Sequence, residues 1–531
     1  MCLSSILPRA LIIMSYQITT KNLGILRILL SGKRTTHILN ASTAHVKALG
    51  EIWTVMNRGD RFLHSLNDGR TVWLDGKLVP DVTKHPSFSG TLATIARLFD
   101  SLDEKGVQDQ IGFVSPRTGQ YAHNAFLVPR TPEDLVRRRT AFRYWAEQTH
   151  GVMSRLSDYA RSMVTGWYAV RSAFEFDDPH FADKITRYYE FARDHDRFLT
   201  TALLDPQINR AKRIDLQNPD AVLRVISENS EGVVIRGAKM IATAAPYTHD
   251  FLVFPFHHVD AEHPEYAHAL IVPANLPGLH IICRESFATQ DDEQHPLSAQ
   301  YDEMDAVLIF DDVLVPWERV LLKGNPEAVW RLRQHTSANA LAYHQTVVRA
   351  LAKLQFVAGV ACAIAESIGV NGFLHVQEKL GELLTQVDAL EALVVASEVN
   401  GRVDEFGNQI PEIRFLDTAR NLNSRYYPRA IEILQQVGAG GFMQVPSGQA
   451  PYADAVSRLI EKYFAGANVS ADVKIRLFQL GWDLIGSQLG ARHQLYERYY
   501  AGDPVRMYAN QYAQADKERL TKPVWEIIRQ G

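Results

Sequence analysis

Cysteine is scarce in these 531 residues: Cys2, Cys283 and Cys362 lie far apart and no CxxC pair occurs. Without thiols from elsewhere, a disulfide framework, a four-thiolate zinc site and an iron–sulfur cluster are excluded, which favours a reducing cytosol. Positive charge is not in excess either. The 56 Lys and Arg stand against 60 Asp and Glu, a formal net charge of −4, so nucleic acid is not an expected partner. Apolar runs such as 357–364 fall short of the ~20 residues that cross a bilayer, so no membrane partner is expected. Several catalytic signatures are also missing: GxxxxGK[ST], HExxH and GxSxG do not occur. Gly438-Ala-Gly440-Gly441 lacks the third glycine of a dinucleotide fingerprint and sits in a helical C-terminal region. The chain therefore carries no Rossmann unit, and any nicotinamide chemistry is expected on another protein.

What is present is ordinary for a large globular protein, 46% hydrophobic, 22% charged and 10% aromatic, with room for about three domains. The first fifty residues stand apart. They hold no acid but six bases, Arg9, Lys21, Arg27, Lys33, Arg34 and Lys47. Such a leader reads as sequence upstream of a wrongly placed start, with Met56 as initiator, or as an organelle transit peptide. Residues 1–55 are accordingly set outside the fold.

From Met56 the patterning becomes regular. Segments 71–74 and 77–80 predict a hairpin turning at Asp75-Gly76. Leu92, Ile95, Leu98, Phe99 and Leu102 then repeat at helical spacing. Thr131-Pro-Glu-Asp134 is a helix start, with an N-cap threonine, proline in the first turn and acids at the positive end of the dipole. Near Ala221 the period changes to two. Short β-branched runs at 222–226, 233–243, 251–256, 268–272, 280–284 and 304–310 predict a small antiparallel barrel or sandwich. Past Trp317 the helical period returns over 341–370, 373–399, 411–437 and 471–500, enough for a bundle. The expected domains are 56–197 (helical), 198–320 (β) and 321–531 (helical bundle).

Three constellations carry chemistry. His257, His258, Asp260, Glu262 and His263 resemble a metal cluster, but a loop between strands gives them no spacing that converges their side chains, so a solvated loop is the plainer reading. Arg155 and Tyr159 are four apart; on one helix they would share a face and make an anion or hydroxyl site, or else a simple packing pair. His344 opens a long apolar helix, a place where a histidine is usually a hydrogen-bonded core residue.

Taken in order, Ser65-Leu-Asn-Asp-Gly-Arg70, Asp81-Val-Thr-Lys-His-Pro86, the Gly151-to-Tyr159 segment, Gly237-Ala-Lys-Met-Ile-Ala-Thr243, Val313-Leu-Val-Pro-Trp-Glu318, Trp482-Asp-Leu-Ile-Gly-Ser487 and Gly490-Ala-Arg-His-Gln-Leu-Tyr-Glu497 carry a resemblance. The chain resembles the large, oxygenase component of two-component, reduced-flavin-dependent phenol hydroxylases, the 4-hydroxyphenylacetate 3-monooxygenase family. The resemblance implies an α+β fold like that of acyl-CoA dehydrogenases: a helical N-terminal domain, a central antiparallel β-barrel and a C-terminal four-helix bundle. It implies a cytoplasmic homotetramer, a dimer of dimers, which takes reduced FAD from a separate NAD(P)H:flavin reductase. The flavin would react with O2 to give a C4a-hydroperoxide that hydroxylates a phenol.

Residue by residue, the resemblance points to Arg155 and Tyr159 as phenol contacts, His344 as base, and Arg492 near the same pocket. Thr201, Ala202, Leu203, Gln207, Ile208, Asn209 and Arg210 would hold the flavin, with Thr243 and the turn Gly466, Ala467, Asn468 and Val469. Thr201 stands where the hydroxyphenylacetate enzymes place a substrate-binding histidine. Threonine can donate a hydrogen bond but cannot act as a base near neutral pH, which shifts that burden to His344. Segment 288–301 is the expected closing loop. The alternatives are an acyl-CoA dehydrogenase, a 4-hydroxybutyryl-CoA dehydratase, whose cluster needs three cysteines and a histidine, or a non-catalytic protein of this fold.

Overall fold

The computed structural model describes residues 56–209, 220–447 and 453–529. The chain falls into two compact units, Met1–Arg61 and Phe62–Gly531. Of the first, only residues 56–61 are described, so the leader of 1–55 lies outside the described residues. Every element labelled here belongs to the second unit.

Four long helices lie before residue 199. Helix α1 (Pro86–Asp100) starts on Pro86 under a His85 cap and buries Phe88, Leu92, Ile95 and Phe99. Helix α2 (Pro132–Gln148) begins on a reciprocal capping box between Thr131 and Asp134, the start that its sequence predicts. Helices α3 (Asp158–Ala169) and α4 (Phe181–Asp194) follow.

Ten strands build two sheets: β1 (Thr71–Leu74), β2 (Lys77–Val79), β3 (Leu199–Ala202), β4 (Arg224–Glu228), β5 (Gly232–Thr243), β6 (Asp250–Val253), β7 (His268–Pro273), β8 (Leu279–Cys283), β9 (Asp305–Pro316) and β10 (Val320–Lys323). The sheet orders are β2-β1-β8-β9-β5-β4 and β10-β7-β6-β3. Among the described residues neither sheet closes: of the expected barrel or sandwich, two open sheets are seen and barrel closure is not. Each contains one parallel pair, β1 with β8 and β3 with β6. Alternation along a strand identifies its buried face but not its partner or the stagger that closure needs. For the same reason, the 71–79 hairpin, grouped with the helices by sequence, is an edge of the larger sheet.

The C-terminal bundle is α5 (Thr336–Ser367), α6 (Leu374–Val399), α7 (Ile413–Gly438), α8 (Ala471–Ile485) and α9 (Gln488–Tyr499). The single helix expected over 471–500 is broken at Gly486-Ser487, where the Ser487 hydroxyl accepts the Gly490 N–H and caps α9. Helices α10 (Pro504–Gln514) and α11 (Lys517–Arg529) complete the chain. Helix α5 contains a stretch, Ser337–Ser367, long and apolar enough to cross a membrane, but 72% of its apolar window is buried inside the protein. It is the core helix of the bundle.

Two glycines set how α5 meets the segment that carries Arg155. A Cβ on Gly166 would lie 2.3 Å from the Ala338 Cα, and one on Gly151 2.5 Å from the Lys353 backbone nitrogen. Residues 151–166 therefore run antiparallel to α5 at backbone contact. Midway between these points, Gln345 Nε2 donates to Asp158 Oδ1 at 3.0 Å.

Candidate active site

From Gly151 to Val170 every residue is buried except Arg155, Tyr159 and Tyr168, which are half-buried. In a packed segment, this cation and this phenol keep side-chain surface that the chain does not cover. Arg155 sits in the turn before α3 and Tyr159 in its first turn, so they do not share one helix face as expected. They meet because the turn folds the guanidinium over the Tyr159 ring, 4.2 Å from its centroid. On its other side Arg155 faces the Tyr496 ring of α9 at 5.8 Å, and its Nη2 donates to the Tyr500 carbonyl at 3.5 Å. Burial alone would lower the pKa of Arg155, but the Tyr496 and Tyr159 phenols raise it. Among the described residues no carboxylate forms an ion pair with the half-buried Arg155, although a partly desolvated cation gains from an anion.

The backbone beneath this pair is fixed by Glu303, whose carboxylate accepts the Ser154 N–H at 2.5 Å and the Arg155 N–H at 2.7 Å. Burial pushes the Glu303 carboxyl up, opposed by Arg492 and those two N–H groups. Two residues on, Asp305 accepts from the Thr243 hydroxyl at 2.7 Å and from Arg492 at 2.9 and 2.8 Å. Burial would raise the Asp305 carboxyl, but Arg492, Arg284 and Thr243 together hold it down to about 2. Arg492 in turn lies 5.0 Å from the Tyr496 ring centroid. An unbroken run of contacts therefore links Thr243, Asp305, Arg492, Tyr496, Arg155 and Tyr159.

On the expected flavin side, Thr201 and Ala202 are buried in β3, and the neighbouring Thr200 hydroxyl donates to the Thr243 carbonyl at 2.9 Å. Buried Lys239 pins the next stretch, donating to the Leu203 carbonyl at 3.1 Å and to Asp205 at 2.6 Å. Beyond it Gln207, Ile208 and Asn209 are exposed, Ile208 by 61%. An uncovered apolar side chain between two amides, at the end of a buried strand, fits a flat heteroaromatic group with hydrogen-bonding edges. Arg210 lies outside the described residues.

The turn of Gly466, Ala467, Asn468 and Val469 is elsewhere. Its Gly466 N–H closes onto Val469, while the Ala467 N–H and Asn468 amide donate to Ser367 and Glu366 at the end of α5. Arg349, which lies over the Tyr496 and Tyr500 rings at 5.7 and 5.2 Å, is 18 residues earlier on that helix, roughly 27 Å away.

His344 does not join this group. Its Nε2 lies 2.8 Å from Glu398, its ring stands edge-on to Phe142, and it is fully buried. Burial lowers its pKa although Glu398 pulls the other way. Its neighbours are Glu398, Phe142, Arg138 and Arg139, and Arg155 shares none of them. The reason is helix phase: one residue is about 100° of rotation, and it is Gln345 that points to Asp158. The Nε2 of His344 is thus taken by Glu398, while its buried Nδ1 has no hydrogen-bond partner.

Tyr496, Tyr500, Glu303, Asp305 and Arg349 complete the site without having been singled out by sequence. The spacing Arg492, Tyr496, Tyr500 carries a legible signal, since i, i+4 and i+8 share a helix face. The carboxylates gave none, because their partners are far away in sequence. In the histidine-rich loop, His258 pairs with Glu327 at 2.8 Å and His263 with Glu265 at 3.7 Å. No group of residues suited to a metal ion occurs among the described residues.

Comparison with known proteins identifies the family. Residues 58–322 match the family model described as 4-hydroxyphenylacetate 3-hydroxylase N terminal, and residues 331–529 its C-terminal counterpart. The chain is 39% identical to the 4-hydroxyphenylacetate 3-monooxygenase oxygenase component of Thermus thermophilus, over 87% of this chain and 94% of that protein. It is 35% identical to the protein of the same description from a Geobacillus species, over 89% and 96%. A crystal structure of such an oxygenase component, complexed with FAD and 4-hydroxyphenylacetate, superposes with a TM-score of 0.84 at 36% identity, covering 89% of this chain and 98% of that one. The chain belongs to the 4-hydroxyphenylacetate 3-hydroxylase family.

Proposed function

We propose that this protein is the oxygenase component of a two-component, FAD-dependent aromatic monooxygenase, which hydroxylates a phenol with O2 and takes reduced flavin from a separate NAD(P)H:flavin reductase. The observation that carries the reading is Arg155: a cation without a carboxylate, stacked on Tyr159 and tied through Tyr496, Arg492 and Asp305 to Thr243. Reduced FAD supplies the activated oxygen when bound, with Thr201, Ala202, Leu203, Gln207, Ile208, Asn209 and Thr243 as its contacts in this chain.

This chain's own residues do the rest. Arg155 stabilises the substrate as phenolate, raising electron density at the ring carbon beside the oxygen, and such a charge contact in a dry site contributes a few kcal/mol. Tyr159, stacked beneath that guanidinium, orients the phenol. Asp305 and Glu303 keep Arg492 and the Arg155 backbone in register. Glu398 holds His344 through Nε2 and leaves its buried Nδ1 without a hydrogen-bond partner, but among the described residues no contact joins that ring to Arg155, so phenolate stabilisation is assigned to Arg155. Thr201 offers a hydroxyl in place of an imidazole, so the reading extends to small phenols as a class. The exposed Leu520, Val524, Trp525, Ile527 and Ile528 of α11 suit burial in a homotetramer, and the enzyme is assigned to the cytoplasm.

The test is anaerobic binding of reduced FAD followed by rapid mixing with oxygen, with and without a panel of phenols. The expected result is an absorbance transient before flavin reoxidation, with one phenol hastening its decay as hydroxylated product forms. Failure to bind reduced FAD, or direct reoxidation indifferent to every phenol, would favour an acyl-CoA dehydratase-like or non-catalytic protein.

A further inference from the structure

Helix α5 passes alongside Arg155 and Tyr159, yet the residue expected to face the phenol, His344, is turned away. Its neighbour Tyr343 has the opposite character. Between Ser337 and Leu354 every residue is buried except Tyr343. It shows the same partial exposure inside a packed helix that marks Arg155 and Tyr159, and Tyr159 and Tyr343 pack against the same apolar cluster, which includes Ala160, Met163, Ala338 and Ala342. No hydrogen bond to its hydroxyl is found among the described residues.

The Tyr343 ring is held from one side by Arg420 of α7, whose guanidinium lies 3.5 Å from the ring centroid. Arg420 is itself anchored, donating to Asp417 at 2.7 Å and to the Ala501 carbonyl at 3.1 Å. It also interacts electrostatically with Tyr500 and Tyr159. A guanidinium stacked on a phenol holds the ring plane and leaves the hydroxyl to reach outward. Arg155, Tyr159, Tyr500 and Arg420 thus form one connected cluster, to which α5 contributes the Tyr343 ring.

We propose that Tyr343 is the hydroxyl the helical bundle presents to the phenolic substrate, with Arg420 as the positioning residue that fixes its ring. The inference rests on the monooxygenase reading above and adds a contact to it. An O–H donor on the phenolate oxygen or on a second acceptor of the substrate complements Arg155, and it supplies no base.

The test uses the full-length chain with reduced FAD, and 4-hydroxyphenylacetate and 4-nitrophenol as probes, in wild type, Tyr343→Phe and Arg420→Lys. Reduced-FAD affinity, the check on folding, is expected to match wild type in both variants. In Tyr343→Phe the KM for the better phenol rises about tenfold, the effect of one hydrogen bond to a charged acceptor, while kcat changes by less than about twofold. The share of consumed oxygen released as peroxide rises with it. Arg420→Lys keeps the charge but loses the planar face, and raises KM by a smaller factor with the same rise in peroxide. Wild-type KM and peroxide release in Tyr343→Phe with both phenols would overturn the proposal. If Tyr343→Phe fails to bind reduced FAD, Arg420→Lys decides in the same way. Absence of phenol-dependent oxygen consumption in the wild type would instead overturn the monooxygenase reading, and this inference with it, before any substitution is compared.

Discussion

Two faces of helix α5 carry buried charge and treat it in opposite ways. On the face toward α2 and α6, His344 and Glu398 pair at 2.8 Å, with Arg139 3.3 Å from the same carboxylate. On the face toward α3 and α9, Arg155 has only rings and a carbonyl, and buried Nε and Nη2 atoms of Arg349 have no hydrogen-bond partner. The first arrangement closes charge on charge, although the buried His344 Nδ1 keeps no hydrogen-bond partner. The second leaves a cation without a carboxylate, a cost that a bound anion would offset. Residue type alone would rank a histidine above a tyrosine as the functional group; partnering reverses that order.

The largest effect is expected where the two kinds of charge meet. Glu497 is fully buried, pairs with Arg349 and Lys353, and accepts from Asn423 at 3.0 Å. Glu497→Gln strips both cations of their anion and should cost about 3–5 kcal/mol of stability, measured by denaturant unfolding. A loss under about 1 kcal/mol would mean that the open face satisfies its cations in some other way.

Asp158 gives a test in pH. Burial raises its carboxyl to about 7, against the pull of Gln345 and Arg161. With the unfolded carboxyl near 3.8, the folded state binds the extra proton between about pH 4 and 7. The contribution of this group is therefore full below about pH 4 and lost as pH rises toward 7, at up to about 1.4 kcal/mol per pH unit. Asp158→Asn should flatten that descent in unfolding measurements across the window, and an unchanged slope would assign the titration to other groups.

Function is sampled more directly at Arg155. Arg155→Lys keeps a charge but loses the planar fork over Tyr159, and kcat/KM for a phenol should fall about 100-fold while reduced-FAD binding holds. A drop of less than about threefold would move the phenol site away from the open face.

The sequence made some of this legible and hid the rest for physical reasons. The Thr131 capping box, the change of period near Ala221 and the long bundle helices depend on near neighbours, and they form close to where the sequence predicts them. Arg155 and Tyr159 could be named from their motif. That they meet across a turn rather than along a helix depends on where α3 begins, at Asp158. The two open sheets with their parallel pairs β1/β8 and β3/β6 depend on partners some 50 to 200 residues apart, which alternation cannot encode. The same holds for Glu303 and Asp305, whose roles exist only through contacts with residues 154, 155, 243 and 492. His344 and Tyr343 differ by one step of helix, an uncertainty no periodicity argument removes from a helix that is apolar nearly all round.

That single step sets the smallest effect. In His344→Gln the side chain stays polar but loses the imidazole bond to Glu398, whose carboxylate is 6% exposed and then relies on Arg139 alone at 3.3 Å. Leaving a buried acceptor partly unpaired costs about 1–2 kcal/mol, so a modest fall in Tm is expected. If the variant instead kept its Tm and lost phenol turnover, the closed face would be the working one, and helix α5 would have to rotate or shift register to expose it. The outcome separates two explanations for a histidine on a buried helix face: holding a carboxylate in the core, or taking a proton from substrate. The first agrees with a side chain that has no exposed surface and whose Nε2 faces Glu398; the second would need a path from its unpartnered Nδ1 to the substrate.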